Sequence, residues 1–208
     1  MRGSVEIASL DVEHLTCIRG ERVLFRDLSF AAAAGQALAI EGPNGIGKTS
    51  LLRMIAGFLR RAAGTIVIKA SSEIAEPEER GKQIGWLGHH DGAKPQLTPT
   101  EVLTFFARLY GNEANVAAAL GAAGLDRCAD LPCQYLSAGQ KKRLALARLN
   151  LIARPLWLLD EPLAALDTNG KKFAAGLIAA HCAAGGIALA ATHEPLGIDC
   201  TRLTLGAA

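Results

Sequence analysis

Nine consecutive residues, Gly42-Pro43-Asn44-Gly45-Ile46-Gly47-Lys48-Thr49-Ser50, constrain this chain more than any other stretch. From Gly42 to Thr49 they fit the phosphate-loop pattern G-x-x-x-x-G-K-[ST]. The apolar run Ala37 to Ile40 leads in, and Leu51-Leu52-Arg53-Met54-Ile55 leads out at helical spacing. A strand, a glycine-rich loop and a helix N-terminus in that order make a seat for polyphosphate. The glycines let backbone N–H groups turn inward around phosphate oxygens, and the helix adds its positive dipole end. Lys48 brings a point charge to the outer phosphates, and the Thr49 hydroxyl is a hard oxygen ligand for Mg2+. The stretch predicts a nucleoside triphosphate site.

The pattern on either side supplies the fold. Val5 to Leu15 and Val23 to Phe30 alternate apolar and polar side chains in part, with Gly20-Glu21 between them; this predicts an antiparallel opening sheet. Ala31 to Gly35 reads as a turn. Beyond the loop helix, Thr65 to Ile68 and Ile84 to Leu87 read as strands, and the polar, proline-containing stretch 71–82 as an exposed loop. From Thr98 the period becomes helical. Thr98-Pro99-Thr100-Glu101 resembles a capped start, and Leu103, Phe106, Ala107 and Tyr110 share one face up to Gly111. A second helix is expected from Glu113 to Ala123. Leu156 to Leu159 is a continuous apolar run, as in a parallel strand buried on both faces. A helix (Asn169 to Ala184), a buried strand (Ile187 to Ala191) and a short last strand (Arg202 to Leu205) follow. The fold class is therefore α/β: a P-loop NTPase core with a mostly parallel sheet flanked by helices, an antiparallel β subdomain and a small helical subdomain. A single domain is expected over residues 1–208, with 92–150 inserted as the helical part between core segments 1–91 and 151–208.

Composition narrows the setting. Half the residues are hydrophobic and 20% are charged, a globular balance. A net charge of +2 neither demands nor excludes a nucleic-acid partner. Cys17, Cys128, Cys133, Cys182 and Cys200 are an odd number without a C-x-x-C pair, which speaks against a disulfide framework, a zinc site or haem attachment and for a reducing, cytoplasmic setting. Glu6, Asp11 and Glu13 break up any secretory signal. Residues 173–192 lack Asp, Glu, Lys and Arg and are long enough to span a bilayer. They are mostly Ala and Gly, include His181 and are broken at Gly185-Gly186, so no transmembrane helix is expected.

Two further stretches carry chemistry. Leu156-Trp157-Leu158-Leu159-Asp160-Glu161 ends a buried strand in two carboxylates, at the strand end where α/β sheets bind ligands. Asp160 would hold Mg2+, directly or through water, and Glu161 would polarise the attacking water. Leu136-Ser137-Ala138-Gly139-Gln140 precedes the basic helix Lys141 to Arg148, making an N-cap with a second anion site. In this order, the phosphate loop, the pentapeptide and the Leu-Leu-Asp-Glu strand resemble the ATP-binding cassette (ABC) ATPases of membrane transporters over essentially the whole chain. The resemblance implies ATP and Mg2+ as cofactors and an ATP-dependent homodimer. Ser137 and Gly139, with Gln140 beside them, would contact ATP bound to the opposite subunit, and Asp167 in Leu163-Ala164-Ala165-Leu166-Asp167 would face that interface. His193 in Thr192-His193-Glu194 matches the histidine that senses the γ-phosphate.

Departures stand beside the matches. A glutamine usual in the family after the strand Ile84 to Leu87 is replaced here by Gly88-His89-His90-Asp91-Gly92, where either His90 or His89 takes its place. An aromatic residue that stacks on adenine is absent; Arg19, in Cys17-Ile18-Arg19-Gly20, is either its substitute on the base or a surface arginine. Ala164 stands where many members have Ser or Thr. Gly88-His-x-x-Gly-x-Lys94, Leu136-Ser-Ala-Gly-Gln-Lys-Lys-Arg143, Pro155 to Pro162 and Leu166-Asp-Thr-Asn-Gly170 are similar to the cytochrome c maturation ATPases, the ATP-binding subunits of the haem exporter. That implies an integral membrane permease subunit of the CcmB type as partner, associated cytochrome c maturation proteins, no nucleic acid, and a peripheral place on the cytoplasmic side of the bacterial inner membrane. Another small export system, or a nucleotide-gated cassette with little catalysis, is the alternative.

Overall fold

Partial alternation near the N-terminus becomes two long antiparallel strands, β1 (Ser9–Arg19) and β2 (Arg22–Ala33), turning at Gly20. The computed structural model describes residues 7–70, 73–74, 77–88, 92–111 and 115–206. Val5 and Glu6 of the first expected strand lie outside them, as does Glu113 of the expected second helix. β4 (Ala63–Lys69) pairs with the other edge of β1, and β5 (Glu73–Ile74) extends that sheet. The turn expected from Ala31 is shorter than the sequence suggests. Ala31, Ala32 and Ala33 stay paired with Asp11, Leu10 and Ser9, and the chain reverses only at Gly35. Alanine has no turn chemistry of its own, so the ladder continues through it.

The stretch 71–82 is also not simply a loop. Residues 71, 72, 75 and 76 lie outside the described set, but Pro77–Gln83 forms a helix, α2, after β5. A proline followed by two glutamates suits a first helical turn, where the missing N–H costs nothing and the dipole favours negative charge. Arg80 anchors this helix: it is buried and donates from Nη2 to the Ile66 carbonyl at 2.8 Å.

The second sheet is parallel throughout its pairs and runs β6-β7-β8-β3-β9. Its strands are β3 (Ala37–Glu41), β6 (Ile84–Leu87), β7 (Leu156–Asp160), β8 (Ile187–Ala191) and β9 (Thr201–Thr204). β7 and β8 are buried at every residue because both faces are covered. Leu156 and Leu158 join the core that contains α1 (Lys48–Ile55) and the antiparallel sheet. Trp157 and Leu159 face the other way, onto α5 (Ala138–Leu151) and α6 (Thr168–Ala183).

A third cluster lies among α3 (Pro99–Tyr110), α4 (Val116–Ala122) and α5. The expected cap on α3 is present. Thr98 accepts from the Glu101 N–H while the Glu101 carboxylate accepts from the Thr98 N–H at 2.8 Å. α5 serves two cores at once: Leu144, Ala147 and Leu151 face the helical cluster, and Ala145, Leu146 and Leu149 face the sheet. The charge-free stretch 173–192 divides into α6, a glycine turn and β8. Among the described residues no helix is long and apolar enough to cross a membrane.

Candidate active site

Strand order builds the site. β7, β8 and β3 are neighbours, so their carboxyl ends bring Asp160-Glu161, Thr192-His193 and the phosphate loop to one edge of the sheet. Hydrogen bonds continue past the strand ends: Glu161 N–H donates to the Ala191 carbonyl at 2.9 Å, and Thr192 N–H to the Ile40 carbonyl at 3.1 Å. The three segments are thus locked together at their first residues beyond the sheet.

The loop from Gly42 leads directly into α1, with Gly47 at φ 116° before its first residue. A Cβ on Gly47 would lie 3.2 Å from Leu24 Cβ and from the Phe25 ring, so β2 crowds the position, and its φ already favours glycine. Lys48 is only 7% exposed, and its ammonium donates to the carbonyls of Gly42 at 2.6 Å and Pro43 at 3.2 Å. An ammonium has three N–H donors, so one more is available to an anion. Ile46 is buried in the core behind the loop. Asn44, Gly45, Gly47, Lys48, Thr49 and Ser50 line a cleft of about 390 Å3 together with Asp160, Glu161, Leu24 and Arg53.

Thr49 and Asp160, 111 positions apart, touch. The Thr49 hydroxyl donates to the Asp160 carboxylate, with Oγ1 at 2.9 Å from Oδ1 and 3.1 Å from Oδ2. Asp160 is 4% exposed. A hydroxyl beside a buried carboxylate is a hard-oxygen pair, the donor type Mg2+ takes, and it faces a phosphate cradle. The pair fits that ion.

Glu161 leaves the strand with φ 50°, a left-handed conformation uncommon outside glycine. Its Oε2 lies 2.9 Å from His193 Nδ1. The histidine side chain is 58% exposed and the glutamate 19%. Next to it the Glu194 carboxylate is held below its usual range by a hydrogen bond from Lys171. The cleft therefore offers backbone donors, a lysine and a hydroxyl–carboxylate pair, and Glu161 at its wall carries the His193 imidazole beside it. Burial pushes all five thiols up, away from nucleophilic chemistry.

Other residues singled out in the sequence lie apart from this cleft. Ser137 caps α5 and shares a capping box with Gln140: its N–H donates to Gln140 Oε1 at 2.8 Å, and its Oγ accepts from Gln140 N–H at 3.2 Å. A Cβ on Gly139 would stand 2.8 Å from the Ala165 carbonyl, so the pentapeptide rests on the turn before α6. Asp167 caps α6, accepting from the Gly170 N–H at 2.7 Å. Arg19 ends β1, exposed and paired in register with Arg22; it does not line the cleft. His89 and His90 lie outside the described residues. Leu24 and Arg53 line the cleft without any motif to mark them. Leu24 reaches it through the register of β2, and Arg53 lies one helical turn beyond Thr49 on α1.

Residues 25–164, more than half the chain, match the family model described as ABC transporter. The chain is 49% identical over 196 residues to the cytochrome c biogenesis ATP-binding export protein CcmA of Rhodopseudomonas palustris strain BisB5, covering 93% of this chain and 96% of that one. It is 50% identical, with the same coverage, to the protein of that name from Nitrobacter winogradskyi. Among solved structures it resembles a bacterial Atm1-family ABC exporter with ATP bound (TM-score 0.82, 25% identity, 97% of this chain and 37% of that one). It also shares the fold of a putative ABC transporter ATP-binding protein from Pyrococcus furiosus, with TM-score 0.80, 24% identity, and coverage of 95% and 98%.

Proposed function

This chain belongs to the ABC transporter ATPases, which couple ATP hydrolysis to transport, and we propose that it drives the export step of cytochrome c biogenesis, in haem export or delivery. Relatives bearing that name, near 50% identity over almost their full length, support the pathway. The observation that carries the chemistry is the meeting of Lys48, Thr49–Asp160 and Glu161–His193 at the ends of three adjacent strands.

In this reading the loop N–H groups from Gly42 to Ser50 and the Lys48 ammonium bind the phosphates. Thr49 Oγ1 and Asp160 would hold Mg2+, which would supply charge neutralisation at the phosphates. Glu161 Oε1, the oxygen not bonded to His193, accepts a hydrogen bond from the attacking water and draws its proton. His193 holds that carboxylate through Nδ1, and its Nε2, at 3.9 Å from Glu194 Oε1 and so not hydrogen-bonded to it, is left to meet the γ-phosphate. Leu24, which lines the cleft, offers the base an apolar seat. Ser137, Gly139, Gln140 and Asp167 lie away from the chain's own cleft, which supports their acting on ATP held by a second copy in an ATP-dependent homodimer. In this reading the partner is a permease subunit of the CcmB type, and the chain is peripheral on the cytoplasmic side of the inner membrane, in line with relatives named for cytochrome c biogenesis export.

Glu161→Gln tests this assignment. It should leave ATP binding unchanged and slow turnover by about 10^2–10^4-fold, the usual range for a general base. Normal hydrolysis by that variant would remove Glu161 from the role.

A further inference from the structure

His193 is approached from two sides. Its Nδ1 lies 2.9 Å from Glu161 Oε2, and its Nε2 lies 3.9 Å from Oε1 of Glu194, the next residue along the chain. The second Glu194 oxygen, Oε2, accepts a hydrogen bond from Lys171 Nζ on the first turn of α6. The backbone makes this possible. Thr192 Oγ1 donates to the Glu194 carbonyl at 2.8 Å and accepts from the Glu194 N–H at 3.0 Å, drawing Thr192–Glu194 into a tight turn. Thr192 itself is buried at the end of β8. The turn folds the Glu194 carboxylate back beside the imidazole it follows.

We propose that Lys171 and Glu194 form a clamp that positions the His193 ring against Glu161 for ATP hydrolysis; the inference rests on the roles given above to Glu161 and His193. An imidazole as exposed as His193 has three staggered χ1 wells and a two-fold χ2, about six orientations in all. One of them sets Nδ1 on Glu161 while Nε2 faces Glu194, and a ring turned about χ2 loses both contacts together. Glu194 is itself a flexible side chain, and Lys171 removes that freedom by tying it to α6. An ion pair this exposed adds little to folding stability. Its effect belongs to the orientation of the ring. The clamp also joins the histidine to the helix capped by Asp167, so ring position and α6 position are set together.

The test is a functional cycle on the full chain, measuring kcat and KM for ATP at steady state and phosphate release in single turnover, with ATP affinity measured separately. Lys171→Met and Glu194→Gln should each lower kcat by about three- to sixfold, the number of orientations released. KM and ATP affinity should stay within about twofold, because binding of the phosphates is untouched. Lys171→Arg should restore most of the rate. In a His193→Ala background neither change should lower kcat further, since the ring they orient is gone. A kcat unaffected by Lys171→Met and Glu194→Gln, in a protein that His193→Ala does inactivate, overturns the clamp and leaves the assignment of His193 standing. An equal loss in the His193→Ala background assigns the pair a merely structural role and also overturns it. If His193→Ala alone leaves kcat unchanged, the role given to His193 fails and the clamp fails with it.

Discussion

Thr49→Val isolates one bond at the centre of the cleft. Valine keeps the branched shape of threonine and removes the hydroxyl that donates to Asp160 at 2.9 and 3.1 Å. Asp160 is 4% exposed, so water cannot readily replace the lost donor. A hydrogen bond to a charged group contributes about 1.5–3 kcal/mol net. For a chain of this size each kcal/mol moves the melting temperature by about 2–4 °C, so Thr49→Val should lower Tm without nucleotide by about 3–12 °C. Thr49→Ser, which keeps the donor, should recover most of that. Thermal melts of the four members of a cycle with Asp160→Asn check the source of the effect. If the bond is responsible, Thr49→Val costs much less when residue 160 is an amide than when it is a carboxylate. The reasoning is refuted if Thr49→Val lowers Tm equally in both backgrounds, or lowers it by less than about 1 °C, which is below the smallest shift the bond energy allows.

Gly139→Ala places a methyl 2.8 Å from the Ala165 carbonyl and should cost about 1–3 kcal/mol by overpacking. Ala165 has φ 64°, so adding Ala165→Gly should recover part of that in a denaturant titration. His181 stacks on Trp157 at 3.9 Å between ring centroids, and burial holds its pKa below the ordinary 6.5. The unfolded chain therefore takes up a proton near pH 6.5 that the native one refuses. Stability is unaffected by this group above that pH and falls below it, by up to about 1.4 kcal/mol per pH unit, until the native histidine also protonates. His181→Phe keeps a ring over the indole and should flatten the dependence of Tm on pH in that window; an unchanged slope would assign it to other groups. Lys48→Met removes the ammonium now held by the Gly42 and Pro43 carbonyls and should abolish the rise in Tm that ATP produces in the unmodified chain, read by the same melts.

The parts of the fold that can be read directly from the chain are those whose patterns are local. Ile84–Leu87 and Ile187–Ala191 form strands with the bounds expected, because a short apolar run buried on both faces ends where the burial ends. The α3 cap was legible for a similar reason: its partners are three residues apart. Pro77–Gln83 was not, since its polar composition says loop while its Pro-Glu-Glu start and the Arg80 anchor to β4 favour a helix. In the site, motifs identified the loop, Asp160, Glu161 and His193, and strand order brought them together. Leu24 enters the cleft through the register of a hairpin, and the Lys171–Glu194 contact joins residues 23 apart in sequence through the packing of α6. No spacing rule encodes either.

The double allegiance of α5 decides how the molecule can be taken apart. A helix whose alternate faces complete two cores is not a hinge between units; it is a shared wall. Excising residues 92–150 would strip the sheet of Ala145, Leu146 and Leu149, and the excised piece would carry those same side chains into water. Ser137 caps the end of that wall farthest from Ala145, Leu146 and Leu149, and Gly139 beside it meets the Ala165 carbonyl, so the position of the pentapeptide is set by the same helix that closes both cores.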